Sequence, residues 1–209
     1  MAKSRISTCK LCRREGIKLF LKGDRCDKEK CAVSKRSYPP GQHGQHLSKL
    51  SEYGTRLREK QRAKKIYGVL ESQFRRYFKI AEKQQGATGE NLLQILETRL
   101  DNVMFKLGLA PSKSTARQLI SHGHIRVNGK KVDVPSFIVK PGSVISLIDK
   151  SKNLLSVKSS IERAVTRKTV PVWLELNPEN ATGVVKNFPT KEEIASPLQE
   201  RLIVEFYSR

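Results

Sequence analysis

Hydrophobic positions are spaced unevenly along the 209-residue chain, and the spacing changes character several times. Over residues 51–86, Tyr53, Leu57, Ile66, Tyr67, Leu70, Phe74, Tyr77, Phe78 and Ala81 recur at roughly helical intervals among strong helix formers. That pattern predicts two helices divided at Gly68, with Ser72 as a candidate cap. A second apolar stripe (Leu92, Leu93, Ile95, Leu96, Leu100, Val103, Met104, Leu107) predicts one helix that starts near Thr88 or Gly89 and stops at Gly108. Ser112 or Ser114 then caps a short helix with Ala116, Leu119 and Ile120 inward and Gly123 as its stop. Ile125 and Val127 alternate ahead of Asn128-Gly129, a tight-hairpin signal, and 137–148 repeats the strand pattern around Pro141-Gly142.

The flanking regions are less regular. Residues 35–44, "KRSYPPGQHG", exclude regular helix or strand across their two prolines and two glycines. Beyond residue 150 the chain predicts one short helix, an extended stretch around Trp173, and turns at Asn177-Pro178 and Phe188-Pro189. "LIVEFYS" (202–208) reads equally as a strand or as a terminal apolar segment. Trp173, Tyr67 and Tyr77 are expected in the core or at its rim rather than against a ligand.

Charge changes this picture. Forty-one Lys and Arg against 20 Asp and Glu leave a formal charge of +21, far beyond what solubility asks. Residues 1–50 carry 13 basic against 4 acidic side chains, whereas residues 151–209 carry 9 against 7. A polyanion is therefore expected mainly along the first three quarters of the chain. No apolar run approaches the roughly 20 residues that span a bilayer. The N-terminus lacks the apolar core of a secretory signal, so the cytosol is the expected compartment and structural disulfides are not expected.

All four cysteines fall within residues 9–31. Cys9 and Cys12 form a C-x2-C knuckle, followed by Cys26 and Cys31, a spacing that matches tetrahedral structural zinc. Lys10, Arg13, Arg14, Arg25 and Lys30 would favour thiolates and offset the charge of a zinc–thiolate centre. Four sulfurs close the coordination shell, so one structural Zn(2+) is expected as scaffold, with no catalytic position. Iron–sulfur and free thiols are the rivals, and His43 and His46 are spare donors.

"TRLDNVMFKLG", "STARQLISHGHIRVNG" and "KPG" resemble the RNA-binding module of the S-four type, which also occurs in RNA-modifying enzymes. Together with "CKLCRREG", "LKG", "YPPGQHG", "RLREKQ" and "EFYSR" they resemble the small-subunit ribosomal protein S-four family, bacterial or organellar, over essentially the whole chain. The resemblance implies an α+β chain: a mainly helical N-terminal domain with a zinc-stabilised segment, and an inserted module of short helices and a small twisted sheet. The boundaries expected are 1–45 for the basic metal-binding segment, 46–98 for the helical part, 99–165 for the module, and 166–209 for a tail packing back on the first domain.

It implies further a primary rRNA binder that holds a multi-helix junction of the 5′ domain early in assembly. It also implies contact with neighbouring small-subunit proteins and with mRNA where it enters the subunit, a part in decoding accuracy, and in some bacteria repression of its own operon. In metal-binding members the ligands match Cys9, Cys12, Cys26 and Cys31. The side chains expected at rRNA are Lys10, Arg13, Arg14, Lys22, Arg36, His43, Arg56, Arg58, Lys60, Arg62, Lys64, Arg75, Arg99, Lys113, Arg117, His122, His124, Arg126 and Lys130.

No enzyme is expected, no small-molecule substrate and no membrane. An RNA-modifying enzyme or RNA chaperone carrying the same module is the alternative, but the rest of the chain is short for a catalytic domain and holds no "GxxxxGK[ST]" phosphate loop. The expected localisation is cytoplasmic, in the ribosome, with an organellar ribosome left open.

Overall fold

The computed structural model of the chain describes residues 7–45, 49–194 and 197–208. His46, the spare donor, lies outside the described residues. In chain order the helices are α1 (Thr8–Glu15), α2 (Asp24–Asp27), α3 (Ala32–Lys35), α4 (Glu52–Ile66), α5 (Glu71–Lys83), α6 (Thr88–Glu97), α7 (Leu100–Lys106), α8 (Lys113–Ser121), α9 (Asp149–Lys152), α10 (Leu155–Arg167) and α11 (Glu200–Tyr207). The strands are β1 (Ile125–Val127), β2 (Lys130–Lys131), β3 (Val144–Leu147), β4 (Leu174–Asn177) and β5 (Thr182–Val185).

The chain divides into two units, one formed by residues 1–91 and 197–209, the other by 92–196. The expected edge of the module at residue 165 therefore moves: only the last residues return to the first unit. The reason is strand pairing. The sheet runs β2-β1-β3-β5-β4, all antiparallel, so β4 and β5 extend the sheet of the hairpin strands. Val144 pairs with Val184. Beyond the strand, Gly142 N–H bonds the Val185 carbonyl at 2.8 Å and Val185 N–H bonds the Ser143 carbonyl at 3.1 Å, which holds the register.

In the first unit Ser51 caps α4 by accepting the Gly54 N–H at 3.1 Å, and Gly68 divides α4 from α5 as the spacing predicts. Ser72 is not the cap; α5 begins at Glu71 after Leu70 with no side-chain cap bond. One stripe of α5 (Phe74, Tyr77, Phe78, Ala81) is buried with Ala63 and Tyr67. "LIVEFYS" is helical, not a strand. As part of α11 it buries Ile203 and lays the Tyr207 ring 4.6 Å from Phe78 and 6.2 Å from Phe74.

The single helix expected over 88–108 is two. Arg99, extended at φ −66 and ψ 138, bridges Ile138, while Leu100 N–H bonds the Phe137 carbonyl at 2.8 Å, so tertiary pairing breaks a run that local propensity would continue. Ser112 caps α8 by accepting the Thr115 N–H at 3.2 Å. Asn128 (φ 50) and Gly129 (φ 78) form the predicted tight turn between β1 and β2. The core gathers Leu100, Val103, Met104, Leu107, Ile120, Ile125, Ile145, Leu147, Trp173 and Val185. Gly183 has no room for a side chain, since a Cβ would stand 2.4 Å from Leu107 Cδ1.

Candidate nucleic-acid interface and cysteine cluster

The densest basic segment, α4, turns its charge inward. Each of its cations is ion-paired: Arg56 with Glu52 (3.3 Å) and Glu205 (2.7 Å), Arg58 with Glu15 (3.3 Å), Lys60 and Lys64 with Glu71 (2.7 and 2.9 Å), Arg62 with Glu59 (2.7 Å), and Lys65 with Glu15. Helical spacing turns successive cations toward different neighbours, and carboxylates from α1, α5 and α11 meet them. Burial acts to raise the Glu71 carboxyl, but hydrogen bonds from Lys60, Lys64 and Tyr207 outweigh it and bring it down to about 2. Burial and the bond to Glu71 push the Tyr207 phenol up. Lys60, expected at the surface, is 4% exposed and stands 4.7 Å over the Phe206 ring.

The cysteines converge. Cys9, Cys12, Cys26 and Cys31 line one cavity of ≈ 10 Å³, about the space of a single water-sized group. All four are unpaired as disulfides, and three are buried. Burial raises the Cys12 thiol, with Cys26, Cys9 and Cys31 adding to the effect. At Cys31 lost hydration works upward, but the N–H groups of Val33 and Ser34 prevail and lower it. Lys22 N–H donates to Cys26 Sγ at 3.4 Å. Backbone donors aimed at sulfur suit thiolates, so the donor chemistry fits a soft metal. Among the described residues no group of three or more His, Cys, Asp or Glu side chains is gathered, as it stands, into a metal-holding set.

Next to the cysteines, Arg13 fixes the "YPPG" loop, donating to the Tyr38 and Pro39 carbonyls at 3.0 and 3.3 Å and lying 4.9 Å over the Tyr38 ring.

On the second unit the hairpin puts Arg126, Lys130 and Lys131 on its exposed side while Ile125 and Val127 point inward. His122 is exposed just past the end of α8, and His124, half-buried, shares a 2.9 Å hydrogen bond with Ser151. Arg99, expected to face outward, does not: it is 2% exposed and grips Asp101 through Nε (3.1 Å) and Nη2 (2.7 Å). Arg117 reaches the same carboxylate at 2.7 Å. Beside them Glu97, also buried, accepts from Asn102 at 2.6 Å and pairs with Lys106 at 3.3 Å.

Comparison with known proteins agrees with this division of structure. Residues 3–97 match the family described as "Ribosomal protein S4/S9 N-terminal domain", and residues 98–145 match "S4 domain". A protein of Pelotomaculum thermopropionicum named "Small ribosomal subunit protein uS4" is 57% identical over 209 residues, covering 100% of both chains. Proteins of the same name from Dictyoglomus turgidum (61% over 201 residues, 96% of each chain) and Acetivibrio thermocellus (56% over 209 residues, 100% of each) match as fully. The chain belongs to the uS4 family.

The second uS4 match ends at residue 145, inside β3, whereas the folded unit continues through β4 and β5. Within this uS4 chain the residues expected at rRNA sort by exposure. Lys10, Arg14, Lys22, Arg36, His43, Arg75, His122, Arg126 and Lys130 are exposed. Arg56, Arg58, Arg62, Lys64, Lys113, Arg117 and His124 are drawn further in, Arg13 is tied to its loop, and Lys60 and Arg99 are buried. The acidic partners that decide this sorting, Glu15, Glu71, Glu97 and Asp101, were not singled out by sequence reasoning.

Proposed function

We propose that the chain is a non-catalytic constituent of the small ribosomal subunit, cytoplasmic, which binds small-subunit rRNA and packs against neighbouring ribosomal proteins. The observation that carries this reading is similarity over the full length of relatives named for that subunit. The physical complement is the surplus of +21, of which α4 spends its share internally while the N-terminal segment and the hairpin keep theirs exposed. Lys and Arg fixed on rigid elements meet phosphates in one spatial arrangement, so recognition works by RNA shape more than by base edges.

In this reading the protein holds a junction of the 5′ domain early in assembly, and its exposed cations also serve mRNA where it enters the subunit and so decoding accuracy. One zinc ion held by Cys9, Cys12, Cys26 and Cys31 supplies folding energy to a segment poor in large apolar residues. A gel-shift tests the RNA reading: the rRNA junction should bind ahead of tRNA, duplex DNA and scrambled RNA, and equal binding to all four contradicts it. Elemental analysis should give about one zinc per chain, without the visible absorbance of an iron–sulfur cluster. Cys9→Ala should open residues 7–45 to protease while sparing 92–194; an unchanged digest contradicts the metal's structural role.

A further inference from the structure

The α7–α8 region contains a buried acid whose position is unusual for a protein that binds a polyanion. Asp101 is 1% exposed, and Arg99 alone occupies both of its oxygens, Nε on Oδ1 at 3.1 Å and Nη2 on Oδ2 at 2.7 Å. Arg117, from α8, nevertheless brings Nε and Nη2 to Oδ2, each at 2.7 Å, with its side chain still 24% exposed. The carboxylate therefore does more than neutralise its neighbour: it fixes a second guanidinium that stays partly exposed. Glu97 repeats the arrangement with Lys106, whose side chain is 20% exposed.

Beside these anchored cations sits Lys113, the first residue of α8, with Nζ 5.7 Å from the Phe105 ring centroid. Burial brings its amine down to about 8, against the pull of Glu97 and with the repulsion of Lys106 and Arg117. Three cations from two helices are thus crowded where each would otherwise be dispersed by repulsion and rotamer entropy. Like charges held together on buried carboxylates make a receptor for an external multivalent anion, and a guanidinium with fixed orientation recognises phosphate better than a mobile one.

We propose that Asp101 is a positioning residue for phosphate recognition: it holds Arg117 beside Lys113 in a preset fork that receives the RNA backbone. The proposal rests on the rRNA-binding reading above. It differs from simple charge counting in sign. Removing an acid from a cationic surface should tighten RNA binding if only net charge counts, whereas loss of the anchor should weaken it.

The test measures the affinity of full-length Asp101→Asn, Arg117→Gln and the double variant for a transcript of the 5′-domain rRNA junction, with thermal melts alongside. Asp101→Asn should bind about three- to tenfold more weakly than wild type with an unchanged salt slope, and should add nothing in the Arg117→Gln background. Binding as tight as wild type or tighter, or an equal loss in both backgrounds, overturns the proposal. Should Asp101→Asn not fold, Arg117→Lys decides: it keeps the charge and loses the fork, so weaker binding at an unchanged slope supports the proposal and wild-type affinity refutes it. A wild-type chain that does not select the junction overturns the rRNA reading together with this one. Normal wild-type selection with the wrong variant pattern overturns this one alone.

Discussion

Helix α4 and the β1–β2 hairpin look alike as sequence, each a run of Lys and Arg beside apolar positions, yet they use charge in opposite ways. Every cation of α4 has a carboxylate partner within the same unit. The exposed Arg126, Lys130 and Lys131 of the hairpin have no ion-paired carboxylate among the described residues. Between these two elements positive charge is therefore of two kinds, one that fastens helices together and one left for a polyanion. A formal charge overstates the second.

Glu15 separates the two populations most sharply, because its side chain is fully buried between Arg58 and Lys65. Glu15→Ala leaves two cations without their partner and should cost about 3–5 kcal/mol of stability, measured by denaturant unfolding. RNA affinity per folded molecule should hardly change. Weaker RNA binding at full stability would place α4 in the wrong population.

The reverse experiment is Arg126→Ala with Lys130→Ala. Stability should stay within about 0.5 kcal/mol of wild type. The slope of log K against log salt should fall by about 0.7–0.9 for each phosphate that is no longer neutralised. A destabilised hairpin with an unchanged slope would reverse the assignment.

A smaller, pH-dependent effect separates the populations again. The Glu71 carboxyl is lowered in the folded chain to about 2 from its ordinary value of 4.5. Its contribution is therefore present above about 4.5 and lost as pH falls towards about 2. Wild type should be more stable than Glu71→Gln at neutral pH, with the difference closing across that window in melts. A gap that stays constant down to pH about 2 would mean that the ionised pair contributes nothing.

What could be read from sequence was what neighbours along the chain decide. Gly68 and Gly108 end helices, Ser112 begins one, and Asn128-Gly129 turns the hairpin, each through its own backbone or side chain. The break at Arg99 needed Ile138, and the true edge of the second unit needed β5 to pair with β3. The helical state of "LIVEFYS" is settled by packing of Tyr207 on Phe74 and Phe78, from a distant part of the sequence. Of the candidate site, residue types and the cysteine grouping were legible. Which cations are available was not, because Glu15 lies 43 residues from Arg58 and Asp101 lies 16 from Arg117. Lys60 and Arg99 read as surface charges until those acids were in place.

Function in this protein turns on whether the exposed cations match one folded RNA. The direct measurement is a competition titration at several salt concentrations, with the 5′-domain rRNA junction and an unstructured RNA of the same length competing for full-length protein. The junction should displace at far lower concentration, with a log–log salt slope steeper than about −4. Equal displacement by both RNAs, or a nearly flat salt dependence, would contradict the match.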